Sequence, residues 1–135
     1  MKAPLRFEDE FLLATVQVTH QGRKLTLSRV LIDTGSGGAA FATDEMETIG
    51  VAPEKEDTVR QIRGFGGVET VVSKRIESLS IGAIIVRNVD IEISTMGYDF
   101  GLQEIIGMDF LMQVGAIIDL AKLEIRTARK VAQKS

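Results

Sequence analysis

The residues with most to offer chemistry lie in Val30-Leu31-Ile32-Asp33-Thr34-Gly35-Ser36-Gly37-Gly38. A β-branched apolar run delivers one carboxylate, and the chain then turns at once into glycine. A charge straight after buried residues is costly unless hydrogen bonds hold it. Asp33 therefore needs donors from Thr34, Ser36 or nearby backbone amides. Gly35 either takes a positive φ or lets the backbone approach a ligand closely. Two readings of these residues stand side by side: an Asx-type turn that ends a strand, and a carboxylate presented for acid–base work.

The other reactive residue types narrow the chemistry. There is no cysteine, which excludes thiolate catalysis, disulfides and zinc–cysteine sites. The one histidine, His20, falls in the turn signal His20-Gln21-Gly22-Arg23. It is expected to be exposed at a hairpin tip, where a base lacks the support catalysis needs. No lysine lies in an apolar run, so serine-type hydrolysis is not expected. An aspartyl-phosphatase pattern needs a second acid two residues after the first, and position 35 is glycine. Neither Gly35-Ser36-Gly37-Gly38 nor Gly64-Phe65-Gly66-Gly67 leads into the Gly-Lys-Ser/Thr of a phosphate-binding loop. The acids show no calcium-loop spacing, so no metal and no other cofactor is expected. With a net charge of −3 and no basic patch interleaved with aromatics, neither nucleic acid nor an anionic membrane is an expected partner.

The elements that must position Asp33 read as mainly strands. Phe11-Leu12-Leu13-Ala14-Thr15-Val16-Gln17-Val18 and Lys24-Leu25-Thr26-Leu27-Ser28 flank the turn at residues 20–23 as a β-hairpin. A further strand at residues 29–32 runs into the Asp33 loop. Thr43, with Asp44, Glu45 and Glu47 behind it, reads as a helix start with a capping hydroxyl; Met46 and Ile49 form its inner face and Gly50 its end. Residues 53–58 are a polar surface loop. Two strand-like arms, Val59-Arg60-Gln61-Ile62-Arg63 and Val68-Glu69-Thr70-Val71-Val72, meet at a tip with three glycines in four positions. Strands continue through residues 76–81 and 84–93, where Val89, Ile91 and Ile93 alternate with Asp90 and Glu92. Residues 94–103 are the least regular stretch of the second half. Ile105-Ile106-Gly107 precedes a short helix, and residues 116–120 and 123–126 close the chain as two strands, with Asp119 at their turn. One domain is expected from 135 residues. With no apolar leader and no run long enough to cross a bilayer, a cytoplasmic location is expected, for a whole protein or a soluble domain cut from a larger one.

Leu31-Ile32-Asp33-Thr34-Gly35-Ser36, the glycine-rich hairpin at 62–68 and Ile105-Ile106-Gly107, in that order and spacing, resemble the retropepsin-like aspartic proteases. These are the single-domain proteases of retroviruses and retroelements and their bacterial relatives. The resemblance divides the chain into an N-terminal arm (1–10), the domain itself (11–126) and a basic, frayed tail (127–135). It implies a mainly β fold, a closed acid-protease barrel with one or two short helices, active as a two-fold homodimer. The activity implied is an aspartic endopeptidase acting on an extended peptide. Its chemistry needs two carboxylates about 3 Å apart sharing a proton. No second Asp-Thr/Ser-Gly exists here, so Asp33 must meet Asp33 of another copy across a two-fold axis.

The resemblance also implies a role for each motif residue. Asp33 is catalytic. Thr34 interlocks the two loops, Gly35 lies against substrate and carboxylate, and Ser36 hydrogen-bonds the outer carboxylate oxygen. Ile62, Gly64, Phe65, Gly66 and Gly67 form a flap that closes over the peptide as an added strand. Ile105, Ile106 and Gly107 pack beneath the Asp33 loop, and Asp109 caps or charges the helix that follows. Met108 stands where many viral members carry an arginine. Residues 4–7 and 123–127 are expected to pair into a dimer sheet. The alternative is a peptide- or protein-binding or dimerisation module of the same fold that does not cleave.

Overall fold

Alternating aliphatic and β-branched residues turn most of the chain into strands. The computed structural model describes residues 1–64, 67–94 and 104–128. In order these hold β1 (Lys2–Pro4), β2 (Arg6–Glu8), β3 (Phe11–His20), β4 (Arg23–Ile32), β5 (Ala40–Ala42) and α1 (Thr43–Glu47). Then come β6 (Val59–Gly64), β7 (Gly67–Ile81), β8 (Ile84–Ser94), β9 (Glu104–Ile106), α2 (Met108–Val114), β10 (Ala116–Asp119) and β11 (Glu124–Thr127).

The β3–β4 hairpin turns through Gln21 (φ 50°) and Gly22 (φ 79°), a two-residue loop with both φ values positive, which suits the twist of paired strands. The stretches 24–28 and 29–32, separate in the sequence reading, form the single strand β4. Ala14 faces Val30 and Val16 faces Leu27, so Ser28 and Arg29 together oppose Thr15 in a bulge that re-phases the strand. His20 is not an exposed tip residue. It ends β3 half-buried, and its Nδ1 is buried with no hydrogen-bond partner among the described residues.

Six strands close into a barrel. They run β3-β4-β9-β5-β8-β7, and β7 returns to β3 through Val16↔Ile81 to Thr19↔Ser78. The mainly β architecture with a closed barrel and two short helices agrees with the expectation from sequence. β7 makes closure possible because its 15 residues serve three neighbours, pairing with β6 at one end, β3 at the other and β8 along most of its length. The barrel is filled by Val16, Val18, Leu27, Val30, Phe41, Leu79, Ile81, Ile91 and Ile106, all essentially buried. Each such apolar side chain contributes about 1.5–3 kcal/mol relative to exposure.

Helix α1 begins at Thr43, but the residue at its N-cap is Ala42, so no side chain caps it as the sequence had suggested for Thr43. The β5 strand runs straight into the helix and leaves no room for a capping turn. Gly50 ends the element with φ 82°, its amide donating to the Glu47 carbonyl at 3.0 Å. In α2, Phe110, Leu111 and Val114 make one buried face, and Gly115 at φ 62° terminates the helix.

β1, β11 and β10 form a separate three-stranded sheet with β11 in the middle. Within the single chain, residues 4–7 and 123–127 are thus paired with strands of the same copy. Ala3 faces Ile125 and Ile118 faces Ile125 from the other side, so both edges of β11 are satisfied within one chain. Asp119 closes the last turn by accepting the Lys122 amide and Arg126 Nη1, each at 3.0 Å. Thr127 Oγ1 donates to the Val114 carbonyl at 2.6 Å, tying this sheet to α2. No helix among the described residues is long and apolar enough to cross a membrane.

Candidate active site

β4 ends at Ile32 and hands Asp33 to the glycine loop. Beside it lies β9, parallel, with Leu31 opposite Ile105 and Ile32 opposite Ile106. The Asp33 amide continues that ladder by donating to the Ile106 carbonyl at 2.9 Å. The Asp33 carbonyl accepts the Ser36 amide at 3.2 Å, and its Oδ1 accepts the Gly35 amide at 2.9 Å. The Asx-type turn is therefore present, and it fixes the carboxylate while leaving it half-buried at the surface. Gly35 does not take a positive φ. It is needed for close approach: a Cβ there would lie 3.1 Å from Asp33 Oδ1.

Ser36 behaves differently from the expectation. Its hydroxyl donates to the Gly38 carbonyl at 2.9 Å rather than to the Asp33 carboxylate. The loop curls so that its own far end is the nearest acceptor. Thr34 is exposed beside Asp33. It lines one end of an apolar groove of about 310 Å³ with Met108, Leu111, Met112, Ala116 and Ile118.

The loop is strapped down from below by Ile105, Ile106 and Gly107. The first N–H groups of a helix have no partner within it, and here the loop supplies them: the Met108 amide donates to Ser36 O at 2.8 Å and the Asp109 amide to Gly37 O at 3.1 Å. Asp109 closes the strap by accepting the Ala39 amide at 3.3 Å and the Phe110 amide at 2.7 Å. Gly107 makes the crossing possible, since a Cβ there would meet Gly38 O at 2.4 Å and Ser36 O at 2.7 Å. Both obstacles are backbone and cannot swing aside. Gly107→Ala should therefore lower the urea midpoint by the equivalent of about 2 kcal/mol or more, with the Asp33 loop displaced. An unchanged midpoint would show that the loop yields freely.

The glycine-rich hairpin is built from β6 and β7, paired from Val59↔Val72 through Ile62↔Glu69 to Gly64↔Gly67. Phe65 and Gly66, the expected tip, lie outside the described residues, as does the irregular stretch 95–103. Val59 and Val68 on the arms are exposed apolar side chains. At the base, Lys74 Nζ reaches Glu54 and Asp57, each at 3.0 Å, and so holds the loop that leads into β6.

Two acids escaped the sequence reading. Glu92 sits in an alternating run that predicted an outward side chain, yet it is only 6% exposed and is paired with Arg60 of β6. Glu104 is fully buried; its Oε2 accepts the Ala42 amide and its Oε1 has no partner among the described residues. The only signal for it is its place at the head of an apolar parallel strand. Burial, opposed by the Ala42 hydrogen bond and helped by the nearby Glu45 charge, pushes its carboxyl up to about 8. A folded-state value above the unfolded one of 4.5 means that the native state holds the proton where the unfolded state has lost it. Stability should therefore fall as pH rises from about 4.5 to about 8 and level off above, by a few kcal/mol in all. In Glu104→Gln this slope should vanish; denaturant midpoints of both proteins across that range would check it, and parallel curves would refute it.

Compared with known proteins, residues 16–113 match the family model described as "gag-polyprotein putative aspartyl protease". The sequence has no match among the curated proteins. Among solved structures, the chain is similar to a retropepsin-like aspartic protease from Rickettsia conorii, with a TM-score of 0.64 and 18% identity. That match covers 93% of this chain and 97% of the other, and at such identity the likeness is one of fold.

Proposed function

The chain belongs to the gag-polyprotein aspartyl protease family and has the retropepsin-like fold, and on that premise we propose that it is a homodimeric aspartic endopeptidase with Asp33 as its catalytic residue. One observation carries the reading. A single carboxylate, fixed by the Gly35 amide in a loop strapped to β9 and α2, stands at the surface beside an apolar groove. That is the arrangement of half a site. A second copy seated on the groove brings its own Asp33 and Thr34 against these.

In the paired site one carboxylate takes a proton from water as the water oxygen bonds to the peptide carbonyl carbon. The other, protonated, gives its proton to the carbonyl oxygen, leaving a neutral gem-diol. Collapse of the diol breaks the C–N bond; the dyad returns a proton to the leaving nitrogen and takes one from the diol. Products are a carboxyl and an amine. Ile62, Gly64, Phe65, Gly66 and Gly67 serve as the flap that holds the peptide extended by backbone hydrogen bonds. No cofactor or metal takes part in this scheme. Cleavage of a peptide library by the wild type and by Asp33→Asn tests it, with oligomeric state measured on the same samples.

A further inference from the structure

Glu92 joins two parts of the molecule that the proposed reaction must hold relative to one another. Its side chain, only 6% exposed, pairs through Oε1 with Arg60 of β6. Its amide donates to the Ala39 carbonyl at 3.0 Å, at the far end of the loop that begins with Asp33. The Ala39 amide in turn donates to Asp109 Oδ2 at 3.3 Å, and the Asp109 amide to the Gly37 carbonyl at 3.1 Å. A run of hydrogen bonds therefore leads from the β6 arm, through β8, into the Asp33 loop.

Among the described residues β6 is the outermost strand of its sheet and pairs with β7 alone, from Val59↔Val72 to Gly64↔Gly67. Arg60 opposes Val71 on β7, whereas Glu92 opposes Ser73 two residues along, so the guanidinium crosses β7 on the diagonal to reach β8. Lys74 steadies only the loop before β6, through Glu54 and Asp57. Exposed ion pairs are worth little, but here one partner is buried, and loss of Arg60 would leave its carboxylate out of water with no counter-charge. Resting on the protease reading above, we propose that Arg60 and Glu92 are a positioning pair that fixes the β6 arm of the flap against the far end of the Asp33 loop, ready for the peptide. Neither side chain touches the reacting atoms. The pair acts on the fraction of molecules whose arm is already in place, and apparent affinity for peptide falls in proportion to that fraction.

The test compares the wild type with Arg60→Gln and Arg60→Lys by amide hydrogen exchange and by peptide cleavage. In Arg60→Gln the amides of residues 59–64 should exchange about ten-fold faster while those of β3 and β4 keep their rates. KM for a cleavable peptide should rise about ten-fold, with kcat held within about two-fold. Arg60→Lys keeps the charge and should restore most of both. Equal exchange at residues 59–64 in all three proteins overturns the pair. Acceleration spread equally over β3 and β4 also overturns it, since that marks a merely structural role, and so does faster exchange at 59–64 with KM unmoved. Should the wild type cleave nothing, the protease reading falls and exchange alone decides the pair: acceleration confined to 59–64 in Arg60→Gln, reversed in Arg60→Lys, keeps it, and its absence removes it.

Discussion

Asp33→Asn should abolish peptide cleavage, by on the order of 10⁴-fold, with fold and oligomeric state unchanged. The separation of these effects follows from what the carboxylate does locally. Its structural task is to accept the Gly35 amide through Oδ1, and an asparagine carbonyl oxygen accepts the same bond. The Asp33 amide still donates to Ile106 O, so the loop remains strapped. What asparagine cannot do is take a proton from water or share one with a partner carboxylate. In the proposed homodimer both copies carry the change, so no intact half-site remains. Cleavage is read by mass spectrometry on a peptide library, and size by light scattering. Equal cleavage by both proteins would end the enzyme reading. A wild type that binds peptides as a dimer without cutting them would favour a non-cleaving module of the same fold.

In the proposed homodimer, Met112→Lys should leave a monomer and take activity with it. Met112 lines the groove beside Thr34 and is 64% exposed in the single chain, so a lysine there is readily solvated. Seated against a second copy, the same ammonium would be desolvated without a counter-charge. Losses of about 2–4 kcal/mol are ordinary for such a change at the centre of an interface, enough to weaken dimerisation by about 30- to 1,000-fold. Residual activity should then rise with the square of protein concentration, where the wild type rises linearly. A variant that remains dimeric by sedimentation would place the interface elsewhere, and β10, with exposed Ile117 on its strand, would be the next surface to alter.

Much of this is legible in the sequence. Leu31-Ile32-Asp33-Thr34-Gly35 and Ile105-Ile106-Gly107 are short, and each reports a local requirement: an apolar strand, a carboxylate, then glycine where backbone crowds backbone. The closed barrel follows from strands too many and too evenly spaced to leave apolar faces uncovered. Glu92 was not legible, because period-two alternation assigns faces relative to one sheet. Where β8 passes beneath the loop at residues 38–39, its outer face is covered as well, and the Glu92 amide donates to Ala39 O at 3.0 Å. The Ser36 bond to Gly38 O is hidden for a related reason: a hydroxyl's acceptor depends on how the loop curls, which residue types do not encode.

The sequence by itself determined the chemistry that Asp33 can offer and the absence of rivals to it. Cysteine is missing, the one histidine is remote from the motif, and a second aspartate motif is lacking. Those are statements of composition and spacing, and they need no third dimension. Which oxygen accepts which amide, why Gly107 tolerates no side chain, and that β11 has both edges filled within its own chain were decided by tertiary structure alone. Each depends on distances between segments tens of residues apart, and only the closing of the barrel sets those distances.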